Sequence, residues 1–200
     1  QKFAGVVKRH YFKRDIRNGL LYGRIAEDRF NRSLAYKKAL EERTLEGEKK
    51  AKAAEKIGKL MKEHQVIFMP TIAAVDKITQ YRGWKKGIDP DPENVVRKKL
   101  SFKAALASGV TIGMGGDVGV FPHGDNVMEM ELMAEYGMPN LDILKAATSV
   151  NARAMNWQDK LGHIKEGFLA DLVVVKGNPL ENISQIREVK FVMKDGVIYK

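Results

Sequence analysis

The stretch from Gly109 to Asn126, GVTIGMGGDVGVFPHGDN, constrains the fold more than any other part of the chain. It opens on a short apolar run, Val110 to Met114, bounded by glycines and too short for a helix. That is the pattern of a strand buried in a parallel sheet. The run stops at Gly115-Gly116-Asp117, and a polar loop carrying Pro122, His123, Gly124, Asp125 and Asn126 follows. A buried strand that delivers one carboxylate into a glycine-rich loop is how α/β proteins build sites at the carboxyl ends of strands. Gly-Gly-Asp is also ordinary turn chemistry. The residues alone leave both readings of Asp117 open.

The flanking sequence repeats the theme. A helix ends near Glu63, a second buried strand runs from Val66 to Met69, and Pro70-Thr71 closes it. A short helix is expected over Ala73 to Gln80. The loop Tyr81 to Pro92, rich in proline and aspartate, stops any regular element. A helix from Pro92 or Glu93 to about Ser108 then ends naturally at Gly109. The two apolar strands must therefore lie parallel, joined by a helical crossover. Beyond the Asp117 loop, Val127 to Tyr136 reads as an amphipathic helix with Met128, Leu132 and Met133 on one side, stopped by Gly137. Two short helices follow, Leu141 to Thr148 and Ala152 to Asn156. The methionines read as core filler.

The last forty residues change character. Ala170 to Val175 is a strand, and Val189 to Met193 with Val197 to Tyr199 forms a hairpin across Lys194-Asp195-Gly196. Asp-Gly there favours a type I′ turn. This is a small antiparallel β unit behind an α/β one.

Charge divides the chain. Its net +10 comes almost wholly from residues 1–60, with 17 Lys/Arg against 8 Asp/Glu; the remainder holds 18 against 17. From about Leu20 to Leu60 there is no proline and good helix formers dominate, with Gly47 separating two helices and Ala51 to Lys62 making the second. This basic segment could attract nucleic acid or an acidic surface. Aromatics are not interleaved with its cations as a stacking platform needs, and a solvated lysine-rich helix face is the plainer reading. There is no cysteine, which excludes disulfides and thiolate chemistry. No run of 18 apolar residues and no signal-peptide core segment is present, and the compartment stays unassigned.

At this point the residues resemble a known family. The run from about Ile57 to Lys200 is similar to the C-terminal part of amidohydrolase-superfamily enzymes of the imidazolonepropionase-like and Xaa-Pro-dipeptidase-like branch. Three motifs carry the likeness. LMKEHQVIFMPT is similar to the seventh barrel strand with the helix before it. SGVTIGMGGDVGVFPHGDN is similar to the eighth strand with its terminal aspartate. LGHIKEGFLADLVVVKGNPLENI, continuing into VKFVMKDGVIYK, looks like the closing β unit beside the barrel.

The resemblance implies an α/β fold: the C-terminal portion of a (β/α)8 TIM-type barrel with an appended small β-sandwich, preceded by a basic helical segment. It divides the chain into residues 1–56 without recognised resemblance, a barrel-type portion over 57–160, and the β unit over 161–200. It implies hydrolysis of C–N bonds, in amides or peptide-like substrates, with one or two divalent metals, usually zinc. By the match, Asp117 is both a metal ligand and the general base and acid. His123 and Asn126 line the pocket for a small-molecule or dipeptide-like substrate.

The departures are specific. The four histidines, His10, His64, His123 and His163, form no H-x-H pair, and Thr44 to Glu48 lacks the histidine that the family places there. His64 and His163 read as structural or exposed. Gly116 stands where Thr or Ser usually precedes the aspartate. A closed barrel needs roughly 250 residues, and one aspartate cannot supply the three protein ligands of a catalytic zinc. A further chain or a missing N-terminal portion is therefore expected to complete the barrel. Two other readings compete: a non-catalytic α/β scaffold that has lost its metal ligands, and a basic adaptor for RNA or an acidic partner.

Overall fold

Residues 47–200 are described by the computed structural model. The chain divides into two compact units, Gln1–Lys52 and Ala53–Lys200, and the architecture below is that of the second. The helix expected between Leu20 and Gly47, with most of the basic segment and His10, lies outside the described residues. Helix α1, Gly47–Glu63, starts at the glycine expected to separate two helices. It ends where expected, with the His64 N–H still donating to the Leu60 carbonyl at 3.0 Å.

Strand β1 (Ile67–Phe68), helices α2 (Ile72–Tyr81) and α3 (Glu93–Ala107), and strand β2 (Thr111–Ile112) follow in order. The strands pair in parallel, Ile67 opposite Thr111 and Phe68 opposite Ile112, as two apolar runs joined by a helical crossover must. The Gly113 N–H extends the ladder to the Phe68 carbonyl at 3.0 Å. A Cβ at Gly113 would meet the Asn151 amide oxygen at 2.9 Å, which its bonds to Met114 hold in place, and the mobile end of the Met69 side chain at 2.6 Å.

One core forms where α2, α3 and β2 meet α4 (Val127–Glu135) and α5 (Asn140–Lys145), with Ile72, Phe102, Ile112, Met133 and Ile143 buried in it. Phe102 meets Tyr136 edge to face, ring centroids 6.2 Å apart. On α4 the buried side chains are Glu129, Met130, Leu132 and Met133, and Met128 is only partly covered. The expected apolar face was therefore turned toward Met128 by about one residue. The cause is the buried Glu129, which a hydrophobicity pattern places on the outside. Met130, Met133 and Met138 are core residues, as core filler should be.

The two short helices expected after Gly137 are one continuous run: α5, a π-helical turn over Ala146–Val150, and α6 (Asn151–Ala154). The expected break at Ser149 to Asn151 is filled by the wider turn, which sequence periodicity does not signal.

The last unit is a sheet of order β3-β4-β5: Leu172–Val175, Val189–Lys194 and Val197–Ile198, antiparallel throughout. At the hairpin, Asp195 and Gly196 have φ of 49° and 77°. Both central residues being left-handed is the type I′ turn that Asp-Gly favours. A one-residue irregularity between Val174 and Val175 lets the chain leave the sheet. Between β3 and β4, a short 3-10 turn, Ile183–Arg187, sets Ile183 into the same core as α4. The described residues thus hold one three-stranded sheet rather than two facing ones. No helix among them is long and apolar enough to cross a membrane.

Candidate active site

Parallel pairing puts the carboxyl ends of β1 and β2 on the same side. Pro70-Thr71 leaves β1 there, and Gly113 to Asp117 leaves β2. Thr71 and Asp117 are both in the left-handed region, with φ of 45° and 56°, where aspartate is better tolerated than most residues. The Asp117 side chain is exposed at this strand end, where β1 is the one neighbour of β2 among the described residues. His123 and Asn126 are also exposed, the first in the following loop and the second at the head of α4. The three expected site residues share one loop, but no side-chain hydrogen bond or ion pair joins them among the described residues.

Gly116 has a physical explanation in this chain. The buried Phe121 ring lies where a side chain at 116 would begin, its Cζ 3.1 Å from the position of a Cβ. Phe121 therefore occupies the space that Thr or Ser was expected to use.

Three residues that the sequence analysis did not single out organise this end of the sheet. Glu129, fully buried on α4, reaches across to the start of α2: its Oε1 accepts from the Ile72 N–H at 2.9 Å and its Oε2 from the Ala73 N–H at 2.6 Å. It satisfies two donors that a helix N-terminus otherwise leaves orphaned. Burial raises its pKa, and the two N–H groups hold the rise back. Lys98 on α3 lies within electrostatic reach of both Glu129 and Asp117. Burial draws its pKa down, against the attraction of Glu129 and then Asp117.

Asn151 is the third. Its Oδ1 accepts from the Met114 N–H at 3.1 Å, and its Nδ2 donates to the Met114 carbonyl at 2.7 Å. The side-chain amide thus acts as a partner strand for the peptide three residues before Asp117. The π-helical turn just before Asn151 is what brings it into register, as such turns often do near sites. Asn151→Leu leaves both Met114 groups without that partner in a half-buried place. It is expected to lower stability by about 1–2 kcal/mol, read as a lower urea midpoint at unchanged slope.

The described residues do not fit a zinc site by themselves. No group of three or more His, Cys, Asp or Glu side chains is placed among them to hold a metal, and Asp117 alone is one ligand.

A parallel strand pair with a polar loop at its carboxyl ends, followed by an antiparallel β unit, is a mixed α/β arrangement of the TIM-barrel type. The chain belongs to the amidohydrolase family: the model of that family matches residues 25–199, starting upstream of Ile57, where the motif-level likeness begins. A solved Xaa-Pro dipeptidase with methionine in its active site is 38% identical, with a TM-score of 0.62 over 72% of this chain and 36% of its own. A prolidase in complex with N-methylphosphonate-L-proline is 30% identical, with a TM-score of 0.58 over 73% of this chain and 38% of its own. The ochratoxinase of Aspergillus niger is 29% identical over 160 residues, covering 74% of this chain and 32% of that enzyme. The chain thus spans about a third of the length of these relatives. The likeness to the Xaa-Pro dipeptidase and prolidase agrees with the dipeptidase-like side of the expected branch.

Proposed function

We propose that this chain is the C-terminal portion of a hydrolase that cleaves C–N bonds in amides or dipeptide-like substrates. The observation that carries it is Asp117, set by Asn151 and the glycine run at the carboxyl end of a barrel-type strand. In this reading the Asp117 carboxylate takes a proton from the water that attacks the substrate carbonyl carbon. It returns that proton to the nitrogen as the C–N bond breaks, giving a carboxylic acid and an amine. His123 and Asn126 face the substrate from the loop beyond. The one or two divalent metals that the family resemblance implies, zinc among them, need ligands from outside the described residues. The same holds for the remaining barrel strands, supplied by another segment or chain, and for the sandwich partner of the β unit. Nucleic acid and membrane play no part in this account.

The exposure of Asp117 and the lack of a three-ligand cluster among the described residues favour a second reading, a non-catalytic α/β scaffold descended from such an enzyme. The adaptor reading rests on residues outside those described. Elemental analysis of the protein isolated from its natural source decides between the first two. The hydrolase reading predicts tightly bound divalent metal near one or two per chain, reduced in Asp117→Asn. No metal in either protein favours the scaffold.

A further inference from the structure

We propose that Arg187 is a positioning residue for the loop that carries His123 and Asn126, so that the β unit sets where those side chains stand. This rests on the placement of both residues in the substrate pocket under the proposed function. Arg187 closes the short turn Ile183–Arg187, whose base is fixed by the buried Ile183. Its guanidinium grips Glu131 of α4 with two parallel bonds, Nε to Oε1 at 2.8 Å and Nη2 to Oε2 at 2.6 Å. The remaining edge of the same plane reaches Asp125, Nη1 to Oδ1 at 2.6 Å. Arg187 stands 62 residues from Asp125 in sequence.

The geometry separates two jobs. The fork on Glu131 fixes the guanidinium on α4, and the hydrogen bonds from Arg187 hold the Glu131 carboxyl below its ordinary range. The third bond then fixes Asp125, which lies between His123 and Asn126. Asp125 is preceded by Gly124, whose φ of 95° makes this loop easy to re-route. The Asp125 and Asn126 carbonyls already accept from the Met128 and Glu129 N–H groups of α4, at 3.0 and 3.1 Å; the Asp125 side chain adds a bond from this loop to the β unit. All three groups are partly exposed, with relative exposures of 40%, 35% and 27% for Arg187, Asp125 and Glu131. The network therefore contributes little to global stability. Its contribution is direction: a planar fork fixes an angle that a lysine ammonium does not.

The test uses amide hydrogen exchange on the full chain, with β2 and α2 as internal references. Arg187→Gln is expected to speed exchange within residues 123–126 by about three- to tenfold, read at the Asp125 amide, whose N–H donates to the Pro122 carbonyl at 3.3 Å, with the references unchanged. Asp125→Asn, which leaves the grip on Glu131 intact, should reproduce most of that change, and combining the two should add little more. Arg187→Lys should restore part of the protection. In the hydrolysing protein the same variants should raise KM more than they lower kcat. Unchanged exchange at 123–126 in Arg187→Gln overturns the proposal. So does a silent Asp125→Asn beside a disruptive Glu131→Gln, which would mean that Arg187 merely fastens the β unit to α4. If the loop loosens as stated while the wild-type protein hydrolyses nothing, the positioning of the loop stands and the hydrolase reading is what fails.

Discussion

Replacing Glu129 with alanine is expected to lower folding stability by about 2–4 kcal/mol. Two opposing effects decide this number. Burial disfavours the carboxylate, which is why its pKa is raised from the ordinary 4.5, and removing it relieves that cost. Removing it also leaves the Ile72 and Ala73 N–H groups without acceptors at a helix start shielded from water. A buried donor stranded in this way costs about 1–3 kcal/mol each, and the empty volume of the side chain adds to the loss. The stranded donors win, because the relief goes only to the charged form while both bonds are lost outright.

The pH dependence separates the two effects. A carboxyl group whose pKa is raised on folding binds its proton more tightly in the native state than in the unfolded chain. Its contribution is therefore most favourable below the unfolded value near 4.5, and it declines as pH rises through the higher native value. Wild type should lose stability relative to Glu129→Gln across that window. Above it, Glu129→Gln should be less stable than wild type by about 1–2 kcal/mol, because an amide offers one acceptor and turns a donor toward the second N–H. Urea midpoints measured between pH 4 and 8 read both quantities, and parallel profiles for the two proteins would show that Glu129 is not buried as described.

Asp117→Asn is the second large effect, on turnover rather than on stability. Asparagine tolerates the left-handed backbone at 117 as readily as aspartate does, and the side chain is exposed, so the fold should be unaffected. The amide cannot accept and return a proton. Under the proposed function, the rate of C–N cleavage should fall by about 10²–10⁴-fold, the usual contribution of a positioned acid–base group. Asn151→Leu should mimic it weakly, since it moves the backbone that presents Asp117 without altering the carboxylate.

How much of this was legible in the sequence depends on the range of the interaction involved. The two strands were readable as short apolar runs, and the parallel pairing of Ile67 with Thr111 followed from the crossover between them. The burial expected of Val66 to Met69 was not, because β1 is a partly covered strand with Val66 and Met69 exposed at its ends. The Asp195-Gly196 turn was readable because it is local chemistry. The orientation of α4 was not, because Glu129 is charged and nothing nearby in sequence shows that its partners lie at Ile72 and Ala73. The joined run through the π-helical turn was not either, since it is the bond from Asn151 to Met114 that gives the turn its purpose. Of the candidate site, the place of Asp117 just past β2 was readable from the apolar run before it. Arg187 was not, because only the folded chain brings it to Asp125.

The most direct measurement is the rate of amine release from a panel of N-acyl amino acids and dipeptides ending in proline. It would be made with equal amounts of folded wild type and Asp117→Asn, isolated in the assembly that carries the chain. The account predicts release by wild type on at least one of these substrates and a rate at least about 10²-fold lower for the variant. Equal rates in the two proteins, or no release by either, would contradict it.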